Sequence, residues 1–346
     1  MIKAFYAIII VSLNVFSPVY AQQNLQAWHT QGQTFLVWQH SGPIPQDTTY
    51  EIYTGSQLIT SISNAIWIGR VFADNGANSR LHDYVPDARW KLPDTSGGTV
   101  SVDTNEAYFV ITPHALGTSY YAVVLFGDTI VGPENTTGPI IETVDSVACV
   151  MQYQDTVVTI YSHWIDGRQD YDSGHQDYPI MGNEYSNGIG FNFAVWEPQR
   201  TKSQRDLPMV IALHGGYSNF IQAGIFRYLL SEGFMVTLDD GLTVDSIFGS
   251  GTVEMNTFWI GYNNEFNRFF ISYPSDSATV INYTARRIWW ETEWLVNNLS
   301  LDTHRVSLMG ISMGAIGTLL HTQLKPDMFS AGLAYVPILR GLKEML

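Results

Sequence analysis

One serine of this 346-residue chain stands in a setting that suits covalent catalysis. An apolar strand pattern, residues 305–309, runs into Gly310-Ile311-Ser312-Met313-Gly314, and an apolar helical pattern follows at once. Because the turn between strand and helix is tight, the flanking positions need glycine, and the serine takes a strained conformation that lifts its hydroxyl clear of the sheet. The free N–H groups of the new helix point to where an oxyanion would form. We therefore predict that Ser312 is a nucleophile.

A second segment combines a continuous apolar run, residues 207–213, with His214-Gly215-Gly216. This pattern is typical of a strand buried on both faces that ends in a loop whose backbone can approach a ligand closely. With the glycine-flanked serine, it resembles the α/β-hydrolase superfamily, and more narrowly its secreted esterases and its polyester-depolymerase-like or acyl-peptidase-like members. The resemblance covers roughly residues 147–346.

The resemblance implies a doubly wound α/β-hydrolase sheet and an oxyanion hole with two backbone donors. One N–H would come from Met313, the residue after the nucleophile, and the other from Gly216 or Tyr217. His214 would have a structural role rather than a proton-transfer role. We expect no cofactor and no metal ion.

The order of the catalytic triad makes the predicted fold incomplete. In α/β-hydrolases the nucleophile is followed by an acid and then by a histidine, yet no aspartate follows Asp327 and no histidine follows His321. His304 precedes the nucleophile by about seven strand residues, which places it roughly 20 Å away, and His321 lies roughly 13 Å down the helix. We expect a fragment of a longer gene product, with acid and base encoded beyond Leu346, or alternatively a degenerate enzyme.

Residues 1–21 predict a cleaved signal peptide. Lys3 gives a short basic start, residues 7–13 form an apolar core, and Val19-Tyr20-Ala21 suits a cleavage site. The core is too short to span a bilayer, and the polar residues that follow argue against the alternative of a retained membrane anchor. We expect a protein without a membrane span that is secreted or periplasmic.

The composition is that of an acidic globular protein. A formal net charge of −15 disfavours nucleic acid or an anionic membrane surface as partner. A content of 45% hydrophobic residues is ample for a sizeable core, and the length is typical of two domains. The single cysteine, Cys149, cannot form an internal disulfide, so we expect a buried thiol and a fold stabilised by packing. The composition does not fix the oligomeric state.

Residues 22–146 have an all-β pattern. Short alternating or aromatic-rich runs, separated by turn sequences, predict strands at residues 34–39, 50–53, 108–112 and 119–126. Several short strands at this spacing are typical of a β-sandwich. The first, second and fourth runs resemble strands of a fibronectin type III module, for which a spacing, docking or packing role is expected.

Residues 147–346 alternate strands and helices, which predicts a mostly parallel sheet covered by helices. We expect two antiparallel first strands at 157–164 and 190–196, a strand at 207–213, a helix near 220–232, a strand at 233–238 and a last strand at 329–336. An amphipathic helix over residues 280–298 would turn its charged side chains mostly outward. These are Arg286, Arg287, Glu291 and Glu293.

Two loops could shape a binding site. Asp239-Asp240-Gly241 ends a parallel strand, on the edge where such sheets bind ligands. The long connection 242–279 carries Trp259 and Tyr262, which would form an aromatic lid or acyl-pocket wall, or alternatively an Ω-loop packed on its own aromatics. The candidate substrate contacts are therefore Asp239, Asp240, Trp259 and Tyr262. Residues 166–177 are acidic but lack a calcium-loop pattern, which favours a solvated loop.

Three functions fit these patterns. The first is a secreted serine hydrolase of acyl esters, in which Ser312 attacks the carbonyl and forms an acyl-enzyme. The second is a serine peptidase of the same fold, because the same constellation cleaves esters and amides. The third is a non-catalytic exported binding or scaffold protein whose β-sandwich binds polysaccharide or another partner. The ester or peptide substrate of an enzyme could be polymeric.

Overall fold

The computed structural model describes residues 22–40, 48–72, 81–168, 190–198, 206–229, 231–245, 252–261, 263, 265, 275–299 and 301–337. Its first nine strands and one helical turn form the N-terminal part. They are β1 (Gln22–Thr30), β2 (Gln33–His40), β3 (Thr49–Gly55), β4 (Ile66–Phe72), α1 (Leu81–Tyr84), β5 (Lys91–Pro93), β6 (Thr99–Ser101), β7 (Glu106–Ile111), β8 (Gly117–Leu125) and β9 (Ile140–Glu142), with a 3-10 turn at Ile62–Asn64.

Seven of these strands form two antiparallel sheets around an apolar core. One sheet has the order β1-β2-β7 and the other the order β4-β3-β8-β9. Side chains of both sheets fill the space between them, as where the rings of Trp38 and Tyr50 meet edge to face at 5.3 Å. The four strands predicted for residues 22–146 are confirmed to within two residues at each end.

A buried carboxylate at the end of β9, that of Glu142, links the two sheets. Glu142 accepts hydrogen bonds from the hydroxyls of Thr34 and Tyr121, each at 2.5 Å. Nearby, Gly32 has a φ of +71°, and a β-carbon there would overlap the carbonyl oxygen of Asp145. The chain therefore leaves β9 along a path that is fixed by close contacts.

The N-terminal sheets pack directly on the next part of the chain. Tyr108 and Trp164 meet edge to face at 5.2 Å, and the Trp164 carbonyl accepts a hydrogen bond from Gln33 Nε2 at 2.7 Å. The N–H of Gly167 donates to the carbonyl of Val110 at 2.7 Å. These contacts place backbone polar groups and aromatic rings together at the junction.

The C-terminal part adds nine strands and three helices to the described chain. They are β10 (Val150–Gln154), β11 (Val158–Trp164), β12 (Gly190–Trp196), β13 (Leu207–Leu213), α2 (Phe220–Ala223), β14 (Phe234–Leu238), β15 (Gly241–Asp245), β16 (Thr252–Asn256), α3 (Tyr283–Asn298), β17 (Leu301–Ile311), α4 (Met313–Leu324) and β18 (Ala331–Tyr335), with a 3-10 helix at Gly224–Leu229.

A seven-stranded mixed sheet lies at the centre of this part, in the order β10-β11-β12-β14-β13-β17-β18. Antiparallel contacts join β10, β11, β12 and β14. The strands β14, β13, β17 and β18 run parallel. Because the carboxyl ends of parallel strands share one edge of a sheet, the residues that follow β13, β14 and β17 meet at that edge.

The two faces of this sheet are covered by different helices. Ile211 of β13 faces a cluster that includes Ile288 and Leu295 of α3, whereas its neighbour Ala212 faces a cluster that includes Phe220 of α2. Since β13 is buried on both faces, its apolar and polar residues do not alternate, and its sequence is continuously apolar. Among the described residues, no helix is both long and apolar enough to cross a bilayer.

Most predicted elements of this part are confirmed to within three residues at each end, including the long helix and the last strand. Three features differ. The helix expected near 220–232 is one α-helical turn followed by a 3-10 helix, and Gly224 lies so close to the Trp196 ring that a β-carbon would overlap it. The strand β10 was not predicted. The connection 242–279 contains the hairpin β15–β16.

Residues 1–21 and most of 166–177 lie outside the described residues.

Candidate active site

Ser312 lies between β17 and α4 in a backbone conformation that L-residues rarely adopt, with φ 54° and ψ −113°. Two glycines make this junction possible. A β-carbon on Gly310 would overlap the carbonyl oxygen of Gly314. A β-carbon on Gly314 would overlap the carbonyl oxygen of Leu213 and lie 2.7 Å from that of His214. The glycine spacing is therefore fixed by the close approach of β13, β17 and α4.

The backbone of Ser312 is fixed by hydrogen bonds, whereas its side chain does not cap the helix α4. The N–H of Ser312 donates to the carbonyl of Tyr335 at 3.0 Å, and its own carbonyl accepts the N–H of Ala315 at 3.0 Å. The half-buried hydroxyl makes no capping hydrogen bond to α4. The N–H of Met313, at the first helical position, has no acceptor within the helix. The hydroxyl of Ser312 is therefore not engaged in capping α4.

The loop after β13, residues 214–217, lies beside Ser312, and we call it the glycine loop. A β-carbon on Gly215 would lie 3.7 Å from Cβ of Ser312. Tyr217 has a φ of 61° and a side chain that is 97% exposed. Its N–H donates to Oδ1 of Asn256 at 3.3 Å. The glycine loop thus brings the chain that carries the predicted donors, Gly216 and Tyr217, close to Ser312.

His214 uses both of its ring nitrogens inside the fold. Its Nδ1 lies 2.7 Å from the carbonyl oxygen of Gly215, so this nitrogen carries a proton and donates it. Its Nε2 accepts the N–H of Asp240 at 3.2 Å and lies 3.1 Å from Oδ1 of Asp239. The residue is buried. These contacts fit a histidine that holds the glycine loop rather than one that exchanges protons with a substrate.

His321 is likewise committed to internal contacts. Its Nδ1 accepts a hydrogen bond from Trp289 Nε1 at 3.1 Å, so Nε2 carries the ring proton and donates it to the carbonyl of Trp259 at 2.9 Å. Burial disfavours the imidazolium and lowers the pKa of His321 to about 4. At neutral pH this histidine is therefore uncharged, and its two ring nitrogens hold neighbouring parts of the fold together.

The lowered pKa of His321 predicts acid sensitivity. Between pH 6.5 and 4 the unfolded chain protonates this residue while the folded chain does not, so the free energy of unfolding falls as the pH falls. Asp240, whose pKa is raised by burial, contributes an opposite slope in the same range. The His321→Gln variant keeps a donor and an acceptor but does not titrate. We expect the drop in the free energy of unfolding from pH 7.5 to pH 4.5, measured with urea, to be about 2 kcal/mol smaller in the variant than in the unmodified protein. An unchanged drop would contradict the lowered pKa of His321.

Three predicted substrate contacts, Asp239, Asp240 and Trp259, lie inside the fold with at most 1% of their surface exposed. The Asp240 carboxylate accepts the N–H groups of Thr257 at 2.9 Å and of Trp259 at 3.1 Å. Trp259 Nε1 donates to the carbonyl of His214 at 3.2 Å. Burial is the main reason that the pKa of Asp240 is raised to about 6. Because these side chains contact the interior, their prediction as substrate contacts gains no support. Tyr262 lies outside the described residues.

The prediction that the charged side chains of α3 face outward was wrong for most of them. Arg286, Arg287 and Glu291 are buried, and only Glu293 is exposed. Arg287 Nη1 lies 3.1 Å from both carboxylate oxygens of Glu291, and its Nη2 donates to the carbonyl of Asp239 at 2.6 Å. Glu291 also lies 3.1 Å from Nδ1 of His163. Arg287 and Glu291 are buried as an ion pair, which offsets part of the cost of removing the two charges from water. Apolar periodicity carries no signal for such pairing.

Within the described residues, no group of three or more histidine, cysteine or acidic side chains is arranged to hold a metal ion. Cys149 is a buried free thiol, and burial raises its pKa well above the ordinary value. Since the thiolate is disfavoured there, the Cys149 thiol is a poor nucleophile.

No protein-family model matches this sequence, and no curated protein matches it. Solved structures do match. An S-formylglutathione hydrolase from Agrobacterium tumefaciens is 15% identical, with a TM-score of 0.36, over 56% of this chain and 62% of its own. The fluorophosphonate-binding serine hydrolase F of Staphylococcus aureus is 12% identical, with a TM-score of 0.29, over 46% and 55%. An acetyl xylan esterase from Paenibacillus sp. R4 is 13% identical, with a TM-score of 0.31, over 57% and 54%. The matches span less than two thirds of the length of each of these proteins.

Proposed function

We propose that this chain is part of a secreted serine hydrolase of the α/β-hydrolase type that cleaves acyl esters, with Ser312 as nucleophile. The observation that carries the proposal is the strained Ser312, with φ 54° and ψ −113°, between a buried parallel strand and a helix. Such strain persists only where the surrounding structure over-determines it, and it is concentrated at functional sites. The close packing at Gly310 and Gly314, where an added β-carbon would overlap backbone atoms, supplies that constraint.

The same geometry supports an oxyanion hole. We assign its donors to the N–H of Met313, at the positive end of the α4 dipole, and to the N–H of Gly216 or Tyr217 in the glycine loop. The packing of Gly215 near Ser312 Cβ supports this assignment. In the resting state the N–H of Tyr217 is occupied by Asn256, so a substrate that uses this donor displaces the Asn256 side chain.

The proposed reaction is acyl transfer in two steps. The Ser312 oxygen attacks the carbonyl carbon of the ester while its proton passes to a base, and the carbonyl electron pair moves to the oxygen held by the two N–H groups. Collapse of this intermediate expels the alcohol, which takes the proton, and leaves an acyl-enzyme. Water then attacks the acyl carbon by the same route and releases the acid.

Neither His214 nor His321 suits the role of the base. Both His214 and His321 use their ring nitrogens inside the fold. We therefore propose that a histidine and an acid outside the described residues complete the triad.

A hydrolysis assay on the complete gene product tests this function. We expect turnover of short-chain p-nitrophenyl esters with a larger kcat/KM than of N-blocked peptide anilides, since the proposal is an esterase. Faster cleavage of the anilides would replace it with a peptidase. No turnover of any ester or anilide by folded protein would contradict hydrolase function.

We also propose that residues 22–146 are a fibronectin type III-like module and that residues 1–21 are removed on export. The division of seven strands into sheets of three and four supports the first proposal. For the second, N-terminal sequencing of the exported protein is expected to begin at Gln22. A mature chain that still begins at Met1 would contradict it.

A further inference from the structure

We propose that Asp240 is a positioning residue for the oxyanion hole. It fixes a turn, residues 257–261, which in turn holds the glycine loop beside Ser312. We call this turn the anchor turn. The inference rests on the function proposed above, but the structural link on which it depends can be measured without any catalysis.

The first link joins Asp240 to the anchor turn. The Asp240 carboxylate accepts hydrogen bonds from three donors, namely the N–H and the hydroxyl of Thr257 and the N–H of Trp259. The side chain is 1% exposed, so water does not replace these bonds. A carboxylate can accept all three donors, whereas an asparagine amide presents one oxygen and two N–H groups of its own. A neutral isostere would therefore leave buried donors unpaired.

The second link joins the anchor turn and its preceding residue to the glycine loop, at both ends of that loop. At the start, Trp259 Nε1 donates to the carbonyl of His214 at 3.2 Å, and the two rings meet edge to face at 4.8 Å. At the far end, Oδ1 of Asn256 accepts the N–H of Tyr217 at 3.3 Å. The two glycines between these points have no side chains of their own, so the conformation of the loop depends on its ends.

The third link joins the anchor turn to the helix that carries the other oxyanion donor. The carbonyl of Trp259 accepts the Nε2 proton of His321 at 2.9 Å. A β-carbon on Gly317 would lie 2.7 Å from Cβ of Trp259, which shows how closely the turn packs on α4. One buried turn thus contacts both sides of the proposed oxyanion hole, the α4 side of Met313 and the glycine loop.

The contacts separate a positioning role from a catalytic one. Asp240 is enclosed by protein and its carboxylate faces the anchor turn, so it does not touch substrate. Oxyanion donors act where charge develops in the transition state. Loosening them should lower kcat more than it raises KM, because the ground-state ester has little charge to stabilise.

The test compares Asp240→Asn with Asp94→Asn in the complete gene product. Asp94 is a matched control, since its carboxylate also accepts three hydrogen bonds, from Ser96 N, Ser96 Oγ and Gly98 N, in an exposed turn far along the chain. The first readout is hydrogen–deuterium exchange of peptides that contain residues 214–217. We expect at least tenfold faster exchange in Asp240→Asn and unchanged exchange in Asp94→Asn. Equal exchange in the two variants overturns the proposal.

The second readout uses oxygen esters and their thionoester analogues. Sulfur is a weaker hydrogen-bond acceptor, so a thionoester gains less from the oxyanion hole. We expect Asp240→Asn to lower kcat for the oxygen ester at least tenfold with KM within about twofold, and to lower kcat for the thionoester much less. An equal loss for both esters would indicate general damage and would overturn the positioning role.

Trp259→Phe keeps the proposal testable if Asp240→Asn fails to fold. This variant retains the backbone bonds of the anchor turn and removes the indole donor to His214 together with part of the buried ring. Faster exchange of residues 214–217 supports the proposal, and exchange equal to that of the unmodified protein overturns it. Should Ser312→Ala leave hydrolysis intact, the proposed function fails, while the exchange results still decide whether Asp240 holds the glycine loop.

Discussion

Replacing Ser312 by alanine is expected to lower kcat/KM for an activated ester by about 10⁴-fold or more in the complete gene product. The alanine has no oxygen to attack the carbonyl, so no acyl-enzyme forms. Only the residual enhancement from the oxyanion hole and from binding remains. The loss should appear in kcat, because the substrate still binds to the same backbone donors. Stopped-flow or steady-state hydrolysis of a p-nitrophenyl ester measures it.

Ser307→Ala provides a matched control in the same strand. Ser307 lies in β17, five residues before Ser312, and its hydroxyl lies 3.2 Å from that of Ser330, away from the strand end. We expect its kcat/KM to stay within about twofold of the unmodified protein. Activity retained in Ser312→Ala and lost in Ser307→Ala would refute the assignment of the nucleophile.

Replacing Gly314 by alanine is expected to lower the free energy of unfolding by about 3 kcal/mol or more. The added β-carbon would overlap the carbonyl oxygen of Leu213 at the end of β13 and would crowd that of His214. These are backbone atoms of the central sheet, which cannot move aside as a flexible side chain would. Since a native domain is stable by only about 5–15 kcal/mol, the loss is a large share of the total. Urea denaturation followed by circular dichroism measures it.

Gly132→Ala is the control for this substitution. No atom lies within 4 Å of the position that its β-carbon would take, and its φ is not in the left-handed region. The change should alter the free energy of unfolding by no more than about 1 kcal/mol, with either sign. Equal effects of the two substitutions would mean that the packing at Gly314 is looser than described.

The elements on either side of Ser312 could be predicted because their signals are local. The strand at 207–213 is apolar without interruption because both of its faces are covered. A β-carbon at Gly310 or Gly314 would overlap neighbouring backbone atoms, so both positions around Ser312 require glycine. This requirement is visible in the sequence as two glycines close to one serine. Where sequence and structure agree, the constraint acts within a few residues.

The residues that support the site could not be predicted because their partners are distant in sequence. Arg287 and Glu291 are spaced as an exposed i, i+4 pair would be, and nothing in that spacing indicates that Arg287 reaches the carbonyl of Asp239 across 48 residues. The same holds for Asp240, which contacts the backbone at 257 and 259. Its position at the end of a parallel strand led to the prediction of a substrate contact, whereas its carboxylate accepts hydrogen bonds from Thr257 and Trp259.

The short helix α2 illustrates a different reason. The apolar pattern near 220–232 favoured one continuous helix, but Gly224 packs against the Trp196 ring of β12, and the chain continues as a 3-10 helix. Close approach to a bulky side chain on a neighbouring strand is a tertiary requirement. Helical periodicity alone does not report it.

Mass-spectrometric mapping of a fluorophosphonate adduct tests the central claim most directly. The complete gene product would be treated with the probe, digested and sequenced by fragmentation, with Ser312→Ala and Ser307→Ala treated in parallel. We predict a single stoichiometric adduct on the peptide that contains Ser312, absent from Ser312→Ala and unchanged in Ser307→Ala. An adduct on a different residue that persists in Ser312→Ala would contradict the account.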